Sequence, residues 1–461
     1  MSTLPAAVPA RGAVVARSVL LRGSWSAVAL CFGTATAAVT AMIGPDARWL
    51  GALGRVVVER GRIPDGVPFA AASSGDWPNV PVLAELAFRG LTAALGDRGL
   101  LLAQLVAVGI ALLVTRREMR RLGATDAGAA LALALLVPGA LLAFAGIRAQ
   151  LFSLALFPVV VALLRWEAAA PSRRIWLLPP LLALWSNLHG VALLGLAAAG
   201  AYLVLERARR RPLESLLVAA LSAAALCATP ALAATPRYYH DVLTSVASRR
   251  GYGLWAPLSL HAGFDLLLVG VGALLLAAFL RSRPRPWELA VAVLLVWSTI
   301  HTARNGVWLL LFLAAPAAGR LRLRATPHPA VAHALALLCL FVGALGIARG
   351  PQSAGAETVA VARAIQAADG QPILAEPASA ERIAAAGGRV WISNPLDAFT
   401  PAAQRAYLDW LEAKPSGDRL VAAARTVVVS PGSPAARRLG HDGRFRVTAR
   451  SARALVFVRV V

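Results

Sequence analysis

The chain has 461 residues, of which 58% are hydrophobic and only 15% charged, and its mean hydropathy is +0.66. A soluble globular chain is about 45–50% apolar and about 25% charged; the excess here lies in Ala/Leu/Val blocks of about 15–20 residues, which excludes an ordinary soluble protein. The formal charge of +23 is carried by arginine, with Lys414 the only lysine. These arginines stand in short clusters between apolar blocks, as in the cytoplasmic loops of a membrane protein, and not in a patch built for nucleic acid.

In chain order, a basic arm (residues 1–24, with Arg11, Arg17 and Arg22) precedes an apolar run from about Trp25 to Gly44. A signal-peptide core is about 7–15 residues long. This run is longer, so it is expected to be an uncleaved first helix with the arm in the cytoplasm. A loop follows at 45–98. Its Arg48, Arg55, Arg60, Arg62, Arg89 and Arg98 are cancelled by Asp46, Glu59, Asp65, Asp76, Glu85 and Asp97, as suits an outer loop.

Basic clusters then punctuate the chain at Arg116–Arg121, Arg165–Arg174, Arg207–Arg211, Arg281–Arg285 and Arg320–Arg324. With all of them in the cytoplasm, each interval crosses the membrane an even number of times. Intervals 122–164, 175–205 and 286–319 each read as a hairpin with a polar tip. Interval 212–280 reads as a hairpin with a long outer loop at about 230–263. A last helix at about 330–348 carries the tail outside. The expectation is an all-α polytopic membrane domain over 25–350 with about eleven spans, ten to thirteen being compatible with the short arms at 175–186 and 307–319.

Past Arg349 the pattern changes. Segments 372–375, 389–392, 426–429, 445–448 and 455–459 read as strands, and 402–413 and 417–424 as helices. Residues 351–461 are thus expected to form a small extracytoplasmic α/β domain, accessory to the membrane part. Cys31, Cys227 and Cys339 all lie in apolar blocks, so neither a disulfide framework nor a cysteine zinc site is indicated.

This topology gathers the unusual polar residues at outer helix ends: Asp46, Asp76, Arg148, Asn187, His189, Trp255, His301, Arg304 and Asn305. Polar groups near membrane depth are costly and are default site candidates, although any one of them could be a cap or an interface anchor. Arginines in tight hairpin turns, Arg148 and Arg304, suit a lipid-linked phosphate. A carboxylate suits a general base on an acceptor hydroxyl, and tryptophans suit stacking on sugar or lipid.

Particular stretches carry a resemblance: Asp46-Ala47-Arg48-Trp49 with Gly54, Gly61-Arg62-Ile63-Pro64, Asp76-Trp77 through Glu85, and Ile147-Arg148-Ala149-Gln150-Leu151-Phe152-Ser153. To these are added Leu184-Trp185-Ser186-Asn187-Leu188-His189-Gly190, Arg304-Asn305, and Arg389-Val390-Trp391-Ile392 through Asp397. In these the chain resembles the GT-C class of membrane glycosyltransferases, and within it the bacterial mannosyltransferase-like and lipopolysaccharide-glycosyltransferase-like group. The resemblance implies a lipid bilayer setting, a polyprenyl-phosphate-linked sugar donor and a glycan or lipid acceptor. It implies an acidic catalytic residue just after the first helix, the place that Asp46 holds, with Asp76 the second candidate. The sequence has no Asp-x-Asp or adjacent acidic pair in the first outer loop, so no metal is indicated and no cofactor is identified. Its arginine turn reads Arg-Ala-Gln where the class is expected to have Arg-Pro-Gln. A transporter or flippase and a non-catalytic envelope scaffold are the alternative readings.

Overall fold

The structure is a computed structural model that describes residues 23–460 apart from 322, 324, 327 and 353–356. The basic arm falls outside the described residues up to Arg22, as do Arg322 and Arg324 of the last basic cluster.

The chain is mostly helical. Four helices are long and apolar enough to cross a membrane: Asp97–Arg121, Gln150–Ala169, Gly263–Arg281 and Pro329–Arg349. Shorter apolar helices stand with them, among them Trp25–Thr40, Asp126–Gly139, Pro212–Leu226 and Pro286–His301. At 175–205 the chain forms two short helices, Leu178–Ser186 and Ala192–Leu205. Gly306–Ala318 is apolar throughout and almost entirely buried, so it forms the axis of the bundle. A Cβ on Gly306 would come within 2.4 Å of Leu268, which shows how tightly this axis is packed. By contrast Pro329–Arg349 buries only Ala332 and Gly346, and it lies against Trp25–Thr40 through small residues. A Cβ on Gly346 would meet the Ala38 backbone at 2.8 Å, a close approach typical of membrane helices.

At the end of the bundle that holds the basic clusters, arginines are tied to acidic residues. Arg165 Nε reaches Glu288 at 2.9 Å, Arg207 reaches Glu167 at 2.6 Å and Glu214 at 3.0 Å, and Arg285 pairs with Glu206. Arg165 and Arg207 are therefore not loop arginines in solvent but buried links between helices.

At the opposite end, the segment expected to be the first outer loop folds into two helices, α1 (Ala47–Arg60) and α2 (Val82–Leu95), packed on one another. A second connection forms the short helices Thr235–Thr244 and Val246–Arg250 and a 3-10 turn at Gly253–Trp255.

The tail holds a sheet of β1 (Leu374–Ala375), β2 (Thr426–Val429), β3 (Phe445–Arg450) and β4 (Leu455–Arg459), in the order β1-β2-β4-β3. The β1–β2 pair is parallel and the other two are antiparallel. Helices Pro401–Leu411 and Asp418–Ala423 stand where helices were expected; Glu357–Ala368, Pro377–Ala385 and Pro434–Gly440 are additional. Segment 389–392 is no regular strand. Its Val390 bridges Ile373 on one side and Ala70 of the first outer loop on the other. Ala71 N donates to Val390 O at 2.8 Å and Ala72 N to Trp391 O at 3.0 Å. The outer loop thus extends the tail's sheet, and the tail is docked on the membrane part rather than hung beside it.

Candidate active site

A short backbone clasp begins the site. Met42 and Ile43, leaving the first described helix, pair in parallel with Gly146 and Ile147, and Gly44 N donates to Ile147 O at 3.0 Å. Gln352, leaving the last bundle helix, bridges Met42. The clasp places Asp46 beside the Arg148 turn, although about a hundred residues separate them in sequence.

Asp46 occupies the N-cap position of α1, but its side chain makes no capping hydrogen bond and its backbone is left-handed, φ 79°. Its Oδ1 accepts the Trp49 indole N–H at 3.2 Å. Its backbone N–H goes to Glu381 Oε1 of the tail at 3.2 Å. Glu381 is buried and also accepts Asn394 Nδ2 at 2.6 Å. Burial, and after it the Asp46 carboxylate, push Glu381 well above the usual carboxylate range.

Facing Asp46 are two arginines. Arg148 is 9% exposed, and its side chain makes no hydrogen bond or ion pair among the described residues. Arg304, in the 3-10 turn Ala303–Asn305, stacks over the Trp255 ring at 4.2 Å and likewise has no ion pair among them. Each guanidinium lies within electrostatic range of the other and of Asp46, and Arg304 is also within range of Tyr238 and Asp397. Two like charges desolvated side by side are unfavourable on their own; the arrangement fits an anion that both can bind. His189 lies within range of both arginines. Its Nδ1 is 2.7 Å from Ser153 Oγ, which already accepts the Trp185 indole N–H at 2.7 Å. Ser153 can therefore give its own proton to Nδ1, leaving Nε2–H of a neutral imidazole as a donor.

The other candidates are placed differently. Asn187 spends both amide protons on Ala183 O and Ala228 O, at 2.8 and 2.7 Å, and so ties the end of its own helix to the segment that follows Pro212–Leu226. Asn305 donates to Ser298 Oγ at 2.8 Å. His301 is exposed, its ring lies against Trp297 with centroids 4.5 Å apart, and its Nδ1 lies 2.9 Å from Trp297 O. Asp76 is exposed and lines a cavity of about 230 Å³ beside the cluster, between the Ser73–Trp77 turn, residues 237–249 and tail residues 397–404. Of the nine candidates, Asp46, Arg148, His189, Arg304 and Trp255 come together.

Sequence reasoning gave no role to Tyr238, Glu381 and Asp397. Asp397 lines the cavity and accepts the Trp77 indole N–H at 3.2 Å. Burial is the main cause that raises it to about 6. Tyr238 lies within range of Asp397, Asp46 and Arg304. Glu381 and Asp397 belong to the tail, so the tail contributes side chains to this candidate cluster. Only chain pairing across more than 300 residues reveals this.

No family model and no curated protein sequence matches the chain. Solved structures do match in fold. ArnT from Cupriavidus metallidurans in the apo state superposes with a TM-score of 0.56 at 15% identity, over 97% of this chain and 98% of that one. The same protein bound to undecaprenyl phosphate gives 0.52 at 16%, over 98% and 99%. The arabinofuranosyltransferase AftD from Mycobacteria gives 0.45 at 17%, over 99% of this chain and 40% of that one. The chain has the GT-C fold of integral membrane proteins.

Proposed function

We propose that the protein is a membrane glycosyltransferase that moves a sugar from a polyprenyl-phosphate-linked donor to a glycan or lipid acceptor of the cell envelope, on the extracytoplasmic face. One observation carries this reading: two arginines without an ion pair among the described residues, Arg148 and Arg304, lie within electrostatic range of a carboxylate, Asp46, that is not used as a helix cap. The binding of undecaprenyl phosphate by the similarly folded ArnT supports the lipid class.

In this reading Arg148 and Arg304 hold the donor phosphate and balance the charge that builds on it as the sugar leaves. Asp46 takes the proton from the acceptor hydroxyl, whose oxygen attacks the anomeric carbon. The bond from that carbon to the phosphate oxygen breaks, and polyprenyl phosphate departs. The cavity lined by Asp76, Trp77, Arg249 and Asp397 adjoins this centre and receives the acceptor. The chain spans the membrane about eleven times with its basic arm inside and its tail outside. A reporter active only outside the cytoplasm, fused after Val461, checks this; a silent reporter on an intact protein overturns the topology.

Asp46→Asn tests the chemistry in the full-length protein in nanodiscs. Loss of a general base costs about 10²–10⁴-fold in rate, so transfer from polyprenyl-phosphate sugars is lost while undecaprenyl phosphate still binds. Near-native transfer by this variant removes Asp46 from the catalytic role.

A further inference from the structure

Helix α1 begins without the cap that its sequence offers. An Asp at the N-cap normally turns its carboxylate back to the N–H groups of the first turn, and Asp46 does not. The first-turn donors still need acceptors. The tail supplies one: Glu381 Oε1 accepts the Asp46 N–H at 3.2 Å, and its carboxylate also interacts with the Arg48 N–H two residues on. Asn394 holds Glu381 in place through the same oxygen at 2.6 Å.

The relationship is reciprocal. Glu381 sits on tail helix α3 (Pro377–Ala385), which packs against α1. From the middle of α1, Arg55 donates to Ala385 O at 3.0 Å and Ala384 O at 3.2 Å, satisfying carbonyls at the C-terminus of α3. Each helix caps the other, with side chains whose partners lie some 330 residues away in sequence.

We propose that Glu381 is a positioning residue that takes over the N-cap of α1 and so frees the Asp46 carboxylate to face Arg148 and Arg304. This rests on the glycosyltransferase reading and extends it: the tail assembles the active site. The left-handed backbone of Asp46 (φ 79°) is a costly conformation for a residue with a side chain, and the bond from its N–H to Glu381 helps to hold it there. A buried Glu381 that keeps its proton caps the helix without adding a second negative charge beside Asp46. Glutamine, neutral and with the same acceptor oxygen, is therefore expected to replace it.

The test uses the full-length protein in nanodiscs with three variants: Glu381→Ala, Glu381→Gln and Arg55→Ala. Two quantities are read: amide hydrogen exchange over residues 44–52, and kcat and KM for transfer from polyprenyl-phosphate sugars. Glu381→Ala is expected to lose exchange protection at the start of α1 and to lower kcat about 10²-fold, the scale of a 1 Å misplacement, with KM for the donor little changed. Glu381→Gln is expected to restore both. Arg55→Ala removes a contact of the same helix pair away from Asp46 while Glu381 stays in place, so it reports general loosening and is expected to leave kcat near native.

Unchanged protection in Glu381→Ala overturns the cap. Native kcat in that variant, or an equal loss in Arg55→Ala, overturns the positioning role. A native protein that moves no sugar from any such donor overturns the glycosyltransferase reading and with it the consequence for catalysis, while exchange still decides the cap.

Discussion

Trp49 gives its indole N–H to Asp46 Oδ1 at 3.2 Å, from one turn further along the same helix. The same ring packs edge-on against Trp77 with centroids 6.5 Å apart, and Trp77 gives its own N–H to Asp397 Oδ2 at 3.2 Å. Two indoles in edge-to-face contact thus each hold one carboxylate, one from the membrane part and one from the tail.

The first prediction concerns this pair. Trp49→Phe keeps the ring contact but removes the donor. A hydrogen bond to a charged group is worth about 1.5–3 kcal/mol, so transfer should fall about 10- to 100-fold with undecaprenyl phosphate binding retained. Rates measured on donor-saturated enzyme check it; an unchanged rate means that the bond does not orient Asp46.

The second concerns the arginines. Arg148→Ala and Arg304→Ala should each weaken undecaprenyl phosphate binding about 10- to 100-fold, as expected for charge-assisted bonds to one phosphate. Arg304→Lys should recover little, because the planar guanidinium stacked on Trp255 is lost. Titration of the lipid against thermal unfolding reads this, and full affinity in both alanine variants places the phosphate elsewhere.

Much of this arrangement was legible in the sequence, for identifiable reasons. Hydropathy and arginine spacing mark the apolar helices, since both follow from the bilayer as solvent. Asp46, Arg148 and Arg304 stand out because charge at a helix end inside an apolar chain is costly. The tail's strands at 426–429 and 455–459 show through their β-branched and aromatic runs. What stays hidden depends on pairing between distant segments. Nothing local marks Glu381, within Ala380-Glu381-Arg382, as the cap of a helix at Ala47. The helix that carries it is short and Ala-rich, its start signalled only by Pro377. Asn187 and His301 carried the same local signal as His189; only their hydrogen bonds and exposure separate them.

The third prediction is a pH dependence of stability. Glu85 is fully buried in α2, bonded to Asn79 Nδ2 at 3.1 Å, and burial raises it from 4.5 to about 8. The folded protein therefore keeps a proton that the unfolded chain releases. Glu85's contribution is fully present below pH 4.5, declines by up to about 1.4 kcal/mol per unit as pH rises, and is lost through about 8. Glu85→Gln should flatten this slope in the melting temperature; an unaltered slope assigns it to other groups.

The last prediction uses Asp397 to ask whether tail and arginine pair form one site. Burial is the leading cause that lifts Asp397 from 3.8 to about 6. Its stabilising contribution is thus present below pH 3.8 and lost as pH rises through about 6. The same ionisation changes the site electrostatically. Asp397 lies within range of both Arg304 and Asp46, so above about 6 it adds negative charge beside the groups proposed to hold the phosphate. Binding of an anionic lipid should weaken accordingly. The phosphate titrates in the same region, but it does so equally for every variant, and a ratio cancels it. Asp397→Asn stays neutral throughout. The affinity of Asp397→Asn for undecaprenyl phosphate, divided by that of the native protein, should therefore rise between about pH 5 and pH 7 and then level off. Partly buried charges near one another interact by about 1 kcal/mol or more, so the rise should be about fivefold. Higher salt should reduce it only slightly, because the groups are shielded from the ions that screen exposed charges. A ratio that stays flat from pH 5 to pH 8 means that Asp397 does not share an electrostatic environment with the phosphate, and the donor site then lies away from the tail.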